Sequence, residues 1–208
     1  MLALYKITKM PRYICIDMLD SLQSDVRQLI SEANYLKSID PAVLLQEPAP
    51  GKWSIIQVLE HLNSYGRYYL LAMERSMDKG TKSVEYFKPG WVGDYFTRLM
   101  KPGENGHVSN KMKSPKDHRP SKYPDAFPVL HTFLEQQQYL LDLLELAKSK
   151  NIGAIRTPIS ISRWIKLKLG DTFRFFVAHE QRHFVQINNA LVTIRGTKDI
   201  LPAAHPAV

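Results

Sequence analysis

An all-α fold, a four-helix bundle with a long loop between its second and third helices, is what this sequence predicts, and three observations predict it. Four segments of similar length carry apolar residues at spacings of three and four. No segment alternates as a half-buried strand does. Prolines and glycines stand where those four segments begin and end. An apolar stripe on a helix needs a partner to cover it, and four equal stripes cover one another most simply around a common core. The 208 residues are expected to form a single domain, with the bundle core over about residues 16–195.

The first helix is expected from Ile16 to Ile39, with Leu19, Leu22, Val26, Leu29, Ile30, Ala33 and Leu36 on one stripe. The second follows the turn Pro48-Ala-Pro-Gly51, takes Ser54 as its N-cap, and runs to Asp78 before Gly80. The third starts at Asp125 behind Pro124 and ends at Lys148, through Leu130, Phe133, Leu134, Leu140, Leu141, Leu144 and Leu146. The fourth opens at Asp171 behind Gly170 and closes near Ile194, before Gly196. Each spans about 24 residues, or about 36 Å. The connection 79–124 is read as a long basic loop, in which Trp91–Met100 forms a short extra helix over one end of the bundle.

Composition narrows the function classes. Phe, Tyr and Trp number 8, 10 and 3, too many for a disordered chain. No apolar run is long enough to span a bilayer, so no membrane partner is expected. The first residues, with Lys and Arg scattered through them, make a poor secretory signal. The single cysteine, Cys15, excludes an internal disulfide and suits a cytoplasmic location. The net charge is +8. Residues 79–122 alone hold ten Lys or Arg against four Asp or Glu, with prolines and glycines between them. That is the composition of a solvated loop, and no nucleic-acid-binding motif accompanies it, so no nucleic-acid partner is expected.

The chemistry lies in residues 173–191, FRFFVAHEQRHFVQINNAL. His179 and His183 are four apart and therefore stand one turn above the other on one helix face. With His179 at zero and about 100° per residue, His183 falls near 40° and the apolar arc of Phe173, Phe176, Val177, Phe184, Ile187, Leu191 and Ile194 spans about 60° to 160°. Both histidines thus sit on the inward edge of the buried stripe, whereas Arg174, Gln181 and Asn188 fall outside it. On the second helix the same projection places His61 on the inward edge, beside Val58, Leu62, Tyr65 and Tyr69, with Glu60 pointing to solvent. Three neutral imidazoles from two helices suit one borderline divalent ion, zinc or nickel, at nitrogen–metal distances of ~2.1 Å. Glu180 projects into the middle of the apolar arc. Burial there raises its pKa unless a cation or histidine lies beside it, which makes it a general base or a supporting group. Tyr65, Tyr68 and Tyr69 are placed to line the pocket, and Trp91, Phe96 or Arg119 to close over it. His107, His118, His131 and His205 are read as loop or flank residues outside the site.

Other readings of the same residues stay open. The histidines are also explained if hydrogen bonds satisfy them and no metal binds. A closed, structural site would need a fourth protein ligand, for which His131 or Asp171 is at hand, and the protein would then be a non-catalytic metal- or ligand-binding module. His179-Glu-Gln-Arg-His183 also spells H-E-x-x-H, the zinc-protease signature. A zincin needs a third ligand downstream, yet no Glu follows Glu180, and Gln186 stands where the longer signature requires Gly.

The Lys52-Trp53-Ser54 opening, Glu60-His61-Leu62 with Tyr65 one turn on, and His179-Glu180-x-x-His183 followed by Gln186-Ile187 together resemble the DinB/YfiT-like family of metal-binding helical bundles. NKMKSPK, residues 110–116, is similar to a Met-Lys-small-Pro-Lys stretch in that family's long loop. The resemblance covers about residues 20–195. It implies His61, His179 and His183 as ligands of one nickel or zinc ion, a small-molecule substrate, and a homodimer. The activities it implies are those of a metal-dependent hydrolase or a low-molecular-weight thiol transferase.

Overall fold

The computed structural model describes residues 11–78, 81–102, 114–160 and 162–196. His107, His205 and the first part of the NKMKSPK stretch, residues 110–113, lie outside them. The chain is mostly helical. Four long helices, α1 (Cys15–Leu36), α3 (Ile55–Met77), α5 (Ala126–Ala147) and α6 (Leu169–Arg195), are joined by two short ones, α2 (Pro41–Leu45) and α4 (Trp91–Met100). Helix α3 packs on α5 and α6, and α1 packs on the same two.

Local chemistry sets the ends. Ser54 and Gln57 form a reciprocal capping box at the start of α3, which satisfies two otherwise orphaned backbone donors. Asp125 caps α5 by accepting from the Phe127 amide, and Pro128 is tolerated because it lies in the first turn. Helix α6 ends at Gly196 in the left-handed conformation, φ 66°. It begins at Leu169, two residues earlier than expected, so Gly170 is helical instead of marking the boundary. The Phe87 ring explains the glycine: a Cβ at position 170 would lie 2.8 Å from it.

Two sequence expectations need correction. The first is the absence of strands: β1 (Tyr13–Ile14) pairs with β2 (Tyr86–Phe87), and β3 (Arg156–Ile159) pairs with β4 (Ser162–Lys168), both antiparallel. The second is the loop 79–124, whose described part contains β2, α4 and a 3-10 turn, Lys116–His118. Helix α4 lies where it was expected but packs along α6. Between them Arg174 donates to Asp171 Oδ1 (3.3 Å), Asp94 Oδ1 (3.1 Å) and the Tyr13 hydroxyl (3.0 Å). Asp171 Oδ2 accepts the Gly90 amide at 2.7 Å, and Arg98 pairs with Asp94 at 3.1 Å. Arg174, expected outside the buried stripe, is therefore buried, because α4 covers that face.

The apolar core forms two clusters. One gathers Leu19, Leu22, Met73, Leu140, Phe173 and Phe176; the other gathers Leu29, Leu36, Leu59, Phe133, Phe184 and Ile187. Along every long helix the two sets are separated near mid-length. His61 stands just before that boundary in α3, Gln137 lies at it in α5, and His179, Glu180 and His183 lie at it in α6.

Candidate metal centre

The polar layer between the two clusters brings the three expected histidines together. One ring nitrogen from each of His61, His179 and His183 lies within 4.8 Å of the other two. His61 and His179 are buried, and His183 keeps an edge toward solvent. Ring centroids are 4.7 Å apart for His61–His183 and His179–His183, and 5.5 Å for His61–His179.

Hydrogen bonds decide which nitrogens face inward. His61 Nδ1 lies 2.6 Å from the His118 carbonyl oxygen. A carbonyl only accepts, so Nδ1 carries the proton and Nε2 keeps its lone pair. In the same way His183 Nδ1 donates to Gln186 Oε1 at 3.0 Å. His179 Nδ1 is buried with no hydrogen-bond partner among the described residues, an orphan that asks for an explanation. Burial pushes the imidazole pKa down to about 4 for His61 and about 3 for His183, and well below the ordinary value for His179. All three rings are therefore neutral near pH 7, the protonation state a metal ligand requires. The donor set and the orphaned nitrogen fit a borderline divalent ion.

The walls are aromatic. Tyr65 lies 4.5 Å from the His179 ring and 5.0 Å from His61, and Trp53 lies 5.2 Å from His61. Tyr69 stands one turn farther, its ring 6.1 Å from and parallel to Tyr65 and its hydroxyl 3.4 Å from Ser160 Oγ. Tyr68 donates to the Ile159 carbonyl. Glu180 is 1% exposed and accepts from Gln137 Nε2 on α5 at 2.7 Å. Its other oxygen has no partner, and no hydrogen bond joins it to a histidine, among the described residues. Burial raises its carboxyl pKa to about 8.

Sequence reasoning missed His118. Its ring stacks on Tyr65 with centroids 3.8 Å apart, and its Nδ1 donates to Ser64 Oγ, whose own proton goes to the His61 carbonyl. Ser114 Oγ stands 3.4 Å from His61 Nδ1. The only signal for this segment was the Lys-small-Pro-Lys stretch that contains Ser114. Glu60, read as solvent-facing, accepts the Ser121 amide at 2.7 Å and ties the same segment to α3. The other expected residues lie apart. His131 is exposed beside Glu135, and Asp171 is committed to Arg174 and Gly90, so neither supplies a fourth ligand. Trp91 is exposed and stacks on Tyr95. Phe96 packs against Phe175, which stacks on His179, and Arg119 Nε donates to the Ser114 carbonyl.

A family model described as DinB superfamily matches residues 23–187, which is most of the chain and includes all three histidines. No curated protein and no solved structure matches it.

Proposed function

The chain belongs to the DinB superfamily, and from that premise we propose that it is a metal-dependent enzyme built on a four-helix bundle, a hydrolase or a low-molecular-weight thiol transferase acting on a small molecule as a homodimer. The observation that carries this reading is the convergence of three buried or half-buried imidazole nitrogens within 4.8 Å. His61, His179 and His183 would hold the ion, His61 and His183 through the Nε2 that their Nδ1 hydrogen bonds leave free. Bound there, zinc or nickel supplies Lewis acidity that lowers the pKa of a water or thiol.

The protein's own residues do the rest. His118 fixes the tautomer of His61 through its carbonyl, and Gln186 fixes that of His183, as outer partners of metal-ligating histidines do. Trp53, Tyr65 and Phe175 exclude water from one side, while the solvent edge of His183 leaves the approach for substrate. Of the two roles read for Glu180, the supporting one is favoured. Its hydrogen bond to Gln137 points it toward α5, and its raised pKa keeps it a neutral acid at pH 7 instead of a ready base. Three protein ligands leave coordination positions open, as catalytic sites do and closed structural sites do not. This favours the enzyme over the non-catalytic module.

Elemental analysis of protein purified without a chelating tag tests the reading, with wild type and His179→Ala in parallel. Zinc or nickel near one equivalent in the wild type, lost in the variant while helicity is retained, supports it and directs screening to thiol-transfer and hydrolysis substrates. No metal in the wild type after incubation with either ion overturns it.

A further inference from the structure

Exposed apolar side chains are ordinary when scattered and informative when gathered. Here several stand exposed at the start of α4 and along β4, two elements in contact with each other. Trp164 is 92% exposed and Trp91 is 72% exposed, and Val92, Tyr95 and Ile165 are exposed beside them in sequence. Pairing in the hairpin is Arg156 with Lys168, Thr157 with Leu167 and Pro158 with Lys166. Thr157 and Leu167 are buried, so Arg156, Lys166 and Lys168 share the opposite, outward face, and Trp164 follows, beyond the irregular pairing at Pro158/Ile159. The Lys168 ammonium donates to the Lys88 carbonyl at 2.7 Å, and its side chain lies near Gly90, 3.9 Å from where a Cβ there would stand. Trp91 follows Gly90 directly, so the outward face of the hairpin continues into the start of α4.

The charge on this surface is mostly positive, with Glu85 the exposed acidic exception in the segment before α4. Residues 150–168 contain Lys150, Arg156, Arg163, Lys166 and Lys168 and no Asp or Glu. Lys82 and Lys88 are exposed in the segment before α4, and Asp94 is buried against Arg174 and Arg98. Exposed tryptophans at the two ends of a mostly basic, half-apolar face, Trp164 near the hairpin turn and Trp91 beside Lys168, are the chemistry of a protein that lies on an anionic bilayer.

We infer that the outward face of the β3–β4 hairpin, together with the start of α4, docks this protein on anionic lipid surfaces, with Trp164 and Trp91 at headgroup depth and Arg156, Lys88 and Lys166 against lipid phosphates. Among the described residues no helix is long and apolar enough to cross a membrane, and docking requires none. The sequence expectation of no membrane partner rested on spanning segments alone. Two rival occupants fit less well. A second copy meeting this face about a two-fold axis would set Arg156, Lys166 and Lys168 against their own equivalents, a like-charge contact. Single-stranded nucleic acid takes free aromatic faces for stacking, whereas Trp91 and Tyr95 stack on each other (19° between planes) and Val92 and Ile165 offer nothing to a base.

Co-sedimentation of the full chain with vesicles tests the inference. Vesicles of phosphatidylglycerol and phosphatidylcholine are expected to bind the protein at low salt and release it at high salt, and phosphatidylcholine alone is expected to leave it in solution. Trp91→Ser with Trp164→Ser should lower the partition coefficient about tenfold, and Lys166→Glu at least about fivefold, with circular dichroism and metal content unchanged. No binding to anionic vesicles, or binding that survives both sets of substitutions, overturns it. So does tighter binding to oligo-deoxythymidine than to the vesicles, or a dimer that Trp164→Ser converts to monomer. Metal content in the wild type is read separately, so failure here does not bear on the histidine centre.

Discussion

Helix α6 buries polar side chains on two of its faces, and the two clusters are built to different rules. Toward α4, Arg174, Asp171 and Asp94 are buried and answered: both carboxylates face guanidinium donors, Asp171 also takes the Gly90 amide, and the Arg174 guanidinium lies 4.8 Å over the Tyr13 ring. Toward α3 and α5, His179 Nδ1 and one oxygen of Glu180 are buried and unanswered among the described residues. A fully paired buried network holds one arrangement of helices, and removing one member strands a charge. A buried group left unpaired costs stability that the fold tolerates only where something else completes it. The first cluster therefore reads as architecture and the second as a place for a ligand.

The comparison breaks most visibly at Arg174. Arg174→Ala leaves Asp94 and Asp171 buried without their shared cation and should cost about 3–5 kcal/mol in urea unfolding, with metal bound in proportion to the folded fraction. An equally small loss at both clusters would sink the distinction.

Glu180 gives the next effect, and its sign can be worked out. The folded carboxyl pKa is raised from 4.5 to about 8, so between these values the unfolded chain gives up a proton that the folded chain keeps. The contribution is thus fully present below pH 4.5 and is lost as pH rises through about 8. Glu180→Gln should match the wild type near pH 4 and exceed it near pH 7.5, by on the order of 4 kcal/mol in metal-free protein. The histidines act on the other limb, because their depressed values cost stability as pH falls below 6.5. Urea midpoints across this range measure both limbs.

Smaller effects sharpen the contrast. Ser64→Ala removes the acceptor of His118 Nδ1 and should weaken zinc or nickel binding about 10–100-fold in a chelator competition while leaving the fold intact. His183→Gln should abolish metal binding yet change metal-free stability by about 1 kcal/mol or less, since the residue is only half-buried.

The sequence made the long helices legible because their stripes are long and regular, and α4 because Trp91–Met100 is bounded by glycine and proline. It hid the hairpin because Trp164 occupies an outward position of β4, which destroys the apolar–polar alternation by which a strand is recognised. It hid α2 and the β1–β2 pair because five- and two-residue elements have no period to read. At the site, His61, His179 and His183 were visible as inward edges of two helices. A projection along one helix knows nothing of what another segment lays over it. Arg174 was therefore misjudged, since α4 covers the face that the projection left to water. His118 was missed for the same reason, since its role comes from a carbonyl oxygen 57 residues along the chain from the ring it fixes.

That carbonyl has a kinetic consequence. No side-chain substitution at position 118 deletes a backbone oxygen, so His61 would lose its partner only by movement of the segment that carries it. While the segment is down, Nδ1 keeps its proton and Nε2 stays presented. Were it to lift, the ring would be free to turn and a bound ion would keep two histidines instead of three. The lifetime of a bound ion would then follow how often this strap opened, and a metal-exchange rate measured with a chelator in excess would be a clock for that opening.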